Sequence, residues 1–586
     1  INPLSKVGKE MYVFKLIDTM KIQNRTVYSV YFQPKKIKSN RIRGLLYIDA
    51  ETHAIAKAFY RIYGVVNINA TYTFKFLNEH NIWFPEKRSF MVEKGNNSED
   101  IKILGGTIKF NSNSKERLKV DASDQTYMKI ESIPYDIEIN KSVAFKDPKI
   151  KIDIRDDIMN KPESFWKPYS KDTLDIRKIP TYERLDSISK AENFEQKLLF
   201  GKKIINGYIP FKIIDIDLRS IVKYNNFEGF RFGIGGTTNA KLSTKYKIGF
   251  FGAYGFKDNL FKYGITPSYA LNKKTNSWLS ISYTDDLSEI GQIKFASQQK
   301  RFKIYDPRPI NISTFYNYKT YSTFIESKII PKVDAYFGFS RSEINPLFDY
   351  TFFTKNLLYT SFTMTTAQFS LQWNPFSGYM QTESGRIEIE KRFPKFSFQY
   401  TKSIPKFLGN DFGFSKLDFK IAQEIPYLSG QNTSFVLQAG IASGDIPITH
   451  LYSIAPNNLN RETLIQRITF AGKNSFETMY FNEFFSNNYI SFQTRHTFNK
   501  VKIAYKVKPE FSVVTRLAWG NMDKPEQHVG FIYKTLEKGF IESGVEASQI
   551  YKGIGLTFFL RYGPNMLPKF EDNLALKISY VIDFGI

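Results

Sequence analysis

The chain has 586 residues, a formal net charge of +25 and no cysteine. The missing cysteine excludes thiol catalysis, zinc–cysteine sites and disulfide frameworks, and no run of about 18 apolar residues is present to form a transmembrane helix. Nucleic-acid binding is disfavoured too, because lysine and arginine are spread evenly, as over residues 501–508, and do not cluster.

Residues 1–111 consist of short stretches rich in β-branched and aromatic residues, separated by turn signals such as Asn24 and Pro34. Such a succession favours one curved antiparallel sheet, so we expect a small β-rich domain over residues 1–111. The sequence at 44–52, which lies between two of these stretches, resembles the half-barrels of periplasmic lipoprotein-carrier and sigma-regulator proteins; the resemblance implies a periplasmic domain. The predicted strands cover residues 11–17, 27–32, 44–49, 55–60, 71–76, 88–93 and 101–110.

The pattern loosens over residues 112–225, which we predict to be a connector with one or two short helices. Pro162 and Glu163 suit the first turn of a helix. Thr181 can cap a second helix, in which apolar residues recur at helical spacing as far as Ile188.

Residues 226–586 are predicted to form an outer-membrane β-barrel of about 16 antiparallel transmembrane strands. One face of these strands carries aromatic and aliphatic residues and the other carries Gln, Ser, Lys, Gly and Thr, which suits a polar lumen. A soluble β-sandwich would alternate as well. The number of strands without a helix, and an aromatic content of 16%, favour the barrel. The alternation is clearest at residues 261–266, 333–340, 367–373 and 435–441.

The last predicted strand is apolar at every second residue from Leu574 to Phe584. Chain ends are usually frayed and polar, so we expect this strand to be paired, in a closed barrel with the first strand. The first strand of this predicted seam contains Gly229, Phe230, Phe232 and Ile234.

The same terminal segment resembles the signal by which outer-membrane barrels are recognised for assembly. Ser579 stands where that signal usually has glycine, and two residues follow Phe584 where it usually ends. The resemblance implies a role in barrel assembly for Lys577, Ser579, Tyr580, Ile582 and Phe584.

Motifs that carry enzyme chemistry are missing. The five histidines are not at metal-ligand spacing, and the sequence has no His-Glu-x-x-His, Gly-x-Ser-x-Gly or P-loop. The glycine-rich residues 233–236 lie inside an alternating strand with no following helix, so they do not indicate a dinucleotide site. We therefore expect no catalytic residue, no cofactor, no metal and no enzymatic activity.

Residues 224–231 and 252–258 resemble the opening strands of the barrel in the BamA/TamA surface-antigen superfamily, and residues 476–489 and 539–545 resemble strands near its end. The chain as a whole resembles a family of outer-membrane proteins whose precursors often begin with a carboxypeptidase-regulatory-like β-domain, which would lie before Ile1. The superfamily's Arg-Gly-aromatic tip is missing where it is expected, roughly between Ala442 and Glu483. Either this loop is stabilised differently or the insertase activity is not shared.

Three functions fit these observations: a component of outer-membrane protein assembly or export acting in a complex, an anion-favouring pore, and a structural scaffold of the outer membrane. We expect other outer-membrane or periplasmic proteins and outer-membrane lipid as partners, and no nucleic acid. Inward-folded loops that fill the lumen would disfavour the pore, and a short or weakly paired seam would favour assembly.

Overall fold

A computed structural model describes most of the chain and divides it into two compact units, Ile1–Phe145 and Lys146–Asp583. This division differs from the predicted segments, whose boundaries were set at residues 111 and 225. The described residues are 3–5, 8–35, 42–63, 66–94, 101–103, 108–110, 127–142, 150–154, 158, 161–169, 178–191, 193–298, 312, 314–382, 385–427, 430–472, 474–501, 503–504, 507–551 and 553–580.

The first unit is built on a seven-stranded antiparallel sheet in the order β1-β2-β3-β4-β5-β6-β9, and β7 and β8 form a separate hairpin. The last strand of the sheet, β9, lies beyond residue 111 and pairs with β6. The elements are α1 Gly8–Met11, β1 Tyr12–Ile22, β2 Arg25–Pro34, β3 Arg43–Asp49, β4 Ile55–Ile62, β5 Val66–Leu77, β6 Ile82–Lys94, β7 Ile101–Ile103, β8 Ile108–Phe110 and β9 Tyr127–Ser132.

One face of this sheet carries a row of aromatic rings that runs across the strands. Phe32, Tyr60, Tyr72 and Phe90 follow one another with ring centroids 5.9, 5.6 and 5.5 Å apart. Such edge and tilted contacts between aromatic side chains add to the stabilisation from burial. The row explains why β-branched and aromatic residues dominate this part of the sequence.

The turn after β3 is fixed by the buried side chain of Asp49. Its carboxylate accepts hydrogen bonds from the guanidinium of Arg25 at 2.6 Å, the indole N–H of Trp83 at 3.1 Å, and the backbone N–H groups of Glu51 and Thr52. The Arg25 guanidinium is the main cause that holds the pKa of Asp49 well below its usual range.

The second unit begins with short elements and then enters a large sheet. The helix predicted at residues 180–188 is confirmed but longer, and a further helix follows it directly. These elements are β10 Ile152–Asp153, α2 Glu163–Trp166, α3 Lys178–Ala191 and α4 Phe194–Ile205. None of the helices in the described ranges is long and apolar enough to cross a membrane.

The remaining strands are β11 Tyr208–Phe211, β12 Ile214–Asp217, β13 Val222–Asn225, β14 Gly229–Thr238, β15 Tyr246–Gly255, β16 Phe261–Asn272, β17 Ser277–Glu289, β18 Phe315–Ser327, β19 Val333–Pro346, β20 Thr351–Thr354, β21 Leu357–Tyr359, β22 Phe362–Trp373, β23 Gly378–Thr382, β24 Gly385–Glu390, β25 Lys395–Ser403, β26 Phe414–Pro426, β27 Asn432–Gly444, β28 Pro456–Asn458, β29 Thr469–Phe470, β30 Phe476–Tyr480, β31 Asn488–Thr497, β32 Glu510–Asn521, β33 His528–Val529, β34 Phe540–Tyr551, β35 Ile554–Tyr562 and β36 Leu574–Tyr580. Nineteen of them form one sheet, which confirms the predicted all-β class. The strands outside it are β20, β21, β23, β24, β28, β30 and β33.

The opening of this sheet corrects the predicted seam. β14, which contains Gly229, Phe230, Phe232 and Ile234, is not an edge strand, because β12 and β13 pair with one of its edges and β15 with the other. The cause is the tight turn before β14, where the Asn225 side chain accepts hydrogen bonds from two backbone N–H groups and Gly229 has a φ of +67°. β12 and β13 together are thus the first strand, residues 214–225, which was predicted to be connector.

The connections at the two ends of the strands differ in length. Most connections at one end are long, and their apolar side chains form the main hydrophobic core, which includes Phe352, Phe412, Phe484 and Phe540. This asymmetry is typical of outer-membrane barrels. The long connections are 290–314, 347–361, 404–413, 445–487, 522–539 and 563–573; the short turns opposite are 239–245, 273–276, 328–332, 427–431 and 552–553.

The polarity of the large sheet is the reverse of that in a water-soluble sheet. In β16 the apolar side chains of Phe261, Tyr263 and Ile265 are 73%, 49% and 51% exposed, whereas Lys262 between the first two is 1% exposed. The same pattern extends over the neighbouring strands, where Ile234, Tyr321 and many other large apolar side chains are exposed. The sheet therefore buries a polar face and presents an apolar one.

Candidate functional site

The polar face of the last strands is covered by residues 445–487, the connection between β27 and β31, which we call the insert. It contains β28, β29 and β30, and β28 pairs with β30 in parallel. Residues 476–489 were compared above with a barrel strand, but only β31, from Asn488 onward, joins the large sheet; β30 belongs to the insert.

Charged side chains in register form a row beneath the insert. Arg516 of β32 lies opposite Glu542 of β34, and Glu542 lies opposite Arg561 of β35. The Arg516 guanidinium and the Glu542 carboxylate are 2.7 Å apart and both side chains are fully buried. A charged pair buried to this extent is stable only when further hydrogen bonds satisfy its remaining atoms.

Glu542 meets that condition by binding the insert. Its carboxylate accepts hydrogen bonds from the backbone N–H groups of Glu477 and Thr478 at 3.0 and 2.9 Å, and from the Thr478 hydroxyl at 2.6 Å. Charge-assisted hydrogen bonds of this kind are about twice as strong as neutral ones. Glu542 thus fixes β30 against β34.

Arg561 continues the row and binds the end of the insert. Its guanidinium donates two hydrogen bonds to the Glu483 carboxylate, at 3.0 and 2.9 Å. Such a bidentate pair fixes orientation as well as distance. The insert is therefore held at Glu477, Thr478 and Glu483 by two neighbouring strands.

Arg467, the most deeply buried arginine of the insert, ties it to the connection before β36. Its guanidinium donates to the Asp572 carboxylate at 2.8 Å, to the carbonyl oxygen of Glu571 at 2.7 Å and to that of Arg461 at 3.0 Å. Ile468 follows Arg467, so the anchoring residue lacks the glycine of the Arg-Gly-aromatic motif. Of the two alternatives left open above, the geometry supports a loop stabilised in a different way.

Lys577 has a role that the sequence did not indicate. Its buried ammonium donates to the Thr469 hydroxyl at 2.8 Å, the Asn458 side-chain oxygen at 3.1 Å and the carbonyl oxygen of Arg467 at 3.2 Å. Ser579 lies opposite Gly555 in the β35–β36 ladder and Tyr580 is half exposed. Ile582 and Phe584 lie outside the described residues, and the assembly signal stays a prediction.

A second group of buried charges lies beside the start of β14. Glu228 is 3.0 Å from the Lys262 ammonium, which also contacts Asp258, and the Arg231 guanidinium is 2.5 Å from Asp286. The sequence suggested that Asp285 and Asp286 were solvated; instead Asp286 is an ion-pair partner. Across the described ranges, no group of three or more His, Asp or Glu side chains is arranged to hold a metal ion.

These charged residues were missed because each looks isolated in its own strand. A lone Arg, Glu or Lys among small polar residues on the lumen side is compatible with a solvated lumen. The available signal was complementarity between strands: a basic, an acidic and a basic residue recur on successive strands, and only the register shows that they face one another.

Comparisons with known proteins agree with the fold. Residues 196–508 match the protein family described as "Family of unknown function (DUF5686) C-terminal domain". No curated protein matches the chain.

Three solved structures of low similarity illustrate this. BamA of Haemophilus ducreyi lacking POTRA domains 1–3 is 12% identical, with a TM-score of 0.37, over 63% of this chain and 69% of that one. CdiB of Escherichia coli is 10% identical, with a TM-score of 0.35, over 63% and 62%. OccK11 (OpdR) of Pseudomonas aeruginosa is 11% identical, with a TM-score of 0.26, over 60% and 86%. The match over residues 196–508 spans more than half of the sequence, and the chain therefore belongs to the DUF5686 family.

Proposed function

We propose that this protein lies in the outer membrane and that its large sheet spans the bilayer. The observation that carries the proposal is the reversed polarity of the sheet, with exposed rings at Phe261 and Tyr263 and a buried ammonium at Lys262. In water an apolar surface of this extent would favour aggregation or association, whereas in lipid it is the expected outer face of a barrel.

The same proposal puts the first unit in the periplasm. The composite first strand begins at Ile214 on the end of the sheet that carries the short turns. Outer-membrane barrels keep short turns on the periplasmic side. The chain preceding Ile214 then enters from the periplasm, which supports a periplasmic location for residues 1–145.

For the activity, we propose a non-enzymatic component of a complex, linked to outer-membrane protein assembly or export, with other envelope proteins as partners. Support comes from the insert, which covers polar side chains that would otherwise line a channel. The basic side chains expected to favour anions are neutralised, since Arg516, Arg561 and Arg467 are paired with Glu542, Glu483 and Asp572. These pairings disfavour the anion pore but leave the scaffold as an alternative.

Planar-bilayer recordings test this proposal. We expect the purified protein to show no large, steady conductance, and a variant with residues 459–475 replaced by a short Gly-Ser linker to conduct, because the polar face is then uncovered. A large, steady, anion-selective conductance from the unmodified protein would favour the pore instead.

Purification in mild detergent separates assembly or export from a scaffold. We expect defined periplasmic or outer-membrane proteins to co-purify in stoichiometric amounts, and to be lost from the variant without residues 459–475. A protein that purifies alone from both strains would contradict the role in a complex.

A further inference from the structure

We propose that residues 469–471 of the insert are a displaceable cover on the outer edge of the terminal strand β36. The alternative occupant of that edge is the chain's own first strand, residues 214–225. The inference rests on the proposed membrane-spanning sheet and deepens it, because it specifies how the seam of that sheet changes between two pairings.

The cover is attached by few backbone contacts. It pairs in parallel with β36 at two positions, Thr469 opposite Lys577 and Phe470 opposite Ile578, and the N–H of Ala471 donates to the carbonyl oxygen of Ile578 at 2.8 Å. On its other edge β36 pairs with β35 over the whole length of β36. Parallel pairing is slightly less stable per residue than antiparallel pairing. The cover is thus the weaker of the two neighbours of β36.

Polar side chains, more than backbone pairing, hold the cover in place. The Lys577 ammonium binds the Thr469 hydroxyl, and the Asn457 amide donates to the carbonyl oxygen of Phe470 at 2.9 Å. Just before the cover, the Arg467 guanidinium binds Asp572. Contacts of this kind can be exchanged for water or other polar partners, so releasing the cover need not disrupt the apolar core.

The first strand has the direction and the surface that the edge requires. It runs from the short-turn end to the long-connection end, whereas β36 runs the opposite way, so the two can pair antiparallel. Val222 and Tyr224 expose apolar side chains on the outer face of the first strand, as Tyr580 does on β36. Exchange of the cover for the first strand would therefore leave an apolar surface facing lipid.

The bilayer supplies the reason for two pairings. An unpaired backbone N–H or C=O costs several kcal/mol in lipid, so a strand edge at membrane depth requires a partner at all times. Within the described residues, the outer edge of Val222–Asn225 has no strand partner, whereas β11 covers Ile214–Asp217. The cover satisfies β36 while the first strand is away from it.

Disulfide trapping in the full-length protein tests the exchange, since the chain contains no cysteine of its own. The cover pair is Phe470→Cys with Ile578→Cys. The matched control, Leu556→Cys with Ile578→Cys, uses the same β36 residue on its permanent edge. The exchange pairs combine Ile578→Cys with Val222→Cys or Tyr224→Cys. Neighbouring strands about 4.8 Å apart fall within disulfide reach.

We expect complete cross-linking in the control, and partial cross-linking in both the cover pair and one exchange pair, after oxidation of outer-membrane preparations. Arg467→Gln should lower the yield of the cover pair and raise that of the exchange pair several-fold. Asp572→Asn, which removes the same ion pair from the other side, should act in the same way.

Three results would overturn the inference. A cover pair that cross-links as completely as the control in all backgrounds, with no exchange pair, shows a permanent contact. A cover pair that never cross-links shows that residues 469–471 do not occupy the edge. If the control pair is recovered only in the soluble fraction, the proposed membrane location fails, and the inference fails with it.

Discussion

Arg516 and Glu542 show how a single position can link a strand to a distant loop. Their ion pair is fully buried, and the same carboxylate holds two backbone N–H groups of the insert. Because burial removes both charges from water, the pair gains its stability only through complete satisfaction of the carboxylate. The energetic importance of Glu542 therefore exceeds that of a surface ion pair.

Glu542→Gln should destabilise the protein strongly. The substitution keeps the shape but leaves the Arg516 guanidinium buried without its counter-ion, at a cost of about 3–5 kcal/mol. We expect the urea midpoint of the detergent-solubilised protein to fall markedly. The control is Glu390→Gln, which removes an exposed pair with Lys151 worth about 0–1 kcal/mol. Equal midpoints for the two variants would show that the buried pair does not contribute to stability.

At the level of elements, β9 decides where the first unit ends. It pairs with β6 from Arg88 opposite Ser132 to Glu93 opposite Tyr127. Without β9, the backbone groups of β6 on that side have no strand partner, and an open strand edge favours aggregation. The loosely patterned sequence after residue 111 concealed this strand.

A fragment of residues 1–145 should fold in the absence of detergent, with a cooperative thermal transition and β-type circular dichroism. A fragment of residues 1–111, which matches the boundary predicted from the sequence, should melt at a lower temperature or aggregate because it lacks β9. Identical melting curves would mean that β9 does not stabilise the sheet. A longer fragment that is unfolded would mean that this unit needs the rest of the chain.

For the molecule as a whole, the orientation of the apolar face determines where the large sheet can reside. Phe337 of β19 is more than half exposed, and it lies opposite Phe369 of β22, which is also exposed. Gly338 and Gln368, the next opposing pair, belong to the other face. The two faces can therefore be tested separately at neighbouring positions of the same ladder.

Phe337→Lys should reduce the amount of heat-modifiable protein in the outer-membrane fraction. A lysine facing lipid costs about 2–4 kcal/mol near the middle of the bilayer. Gln368→Lys places the same charge on the polar face and should assemble at nearly normal levels. If both variants assemble equally well, the exposed face of the sheet does not contact lipid.

The sequence by itself determined the all-β class, the size of the large sheet and the polarity of its two faces. These properties depend on the alternation of side chains along each strand, which has a period of two residues and is visible locally. The strand from Leu574 and the strands around Phe261 and Phe337 were predicted in this way. The sequence also showed that the insert lacks the Arg-Gly-aromatic motif.

Only the tertiary structure decided which strand opens the sheet, where the insert lies and which charges are partners. Residues 214–225 contain no alternating run long enough to predict a strand, and they become one because the turn at Asn225 and Gly229 aligns them with β14. Arg467 and Asp572 are separated by more than one hundred residues in the chain. Contacts of this kind depend on strand register and loop course, which are set by packing between distant segments and leave no periodic signal in the sequence.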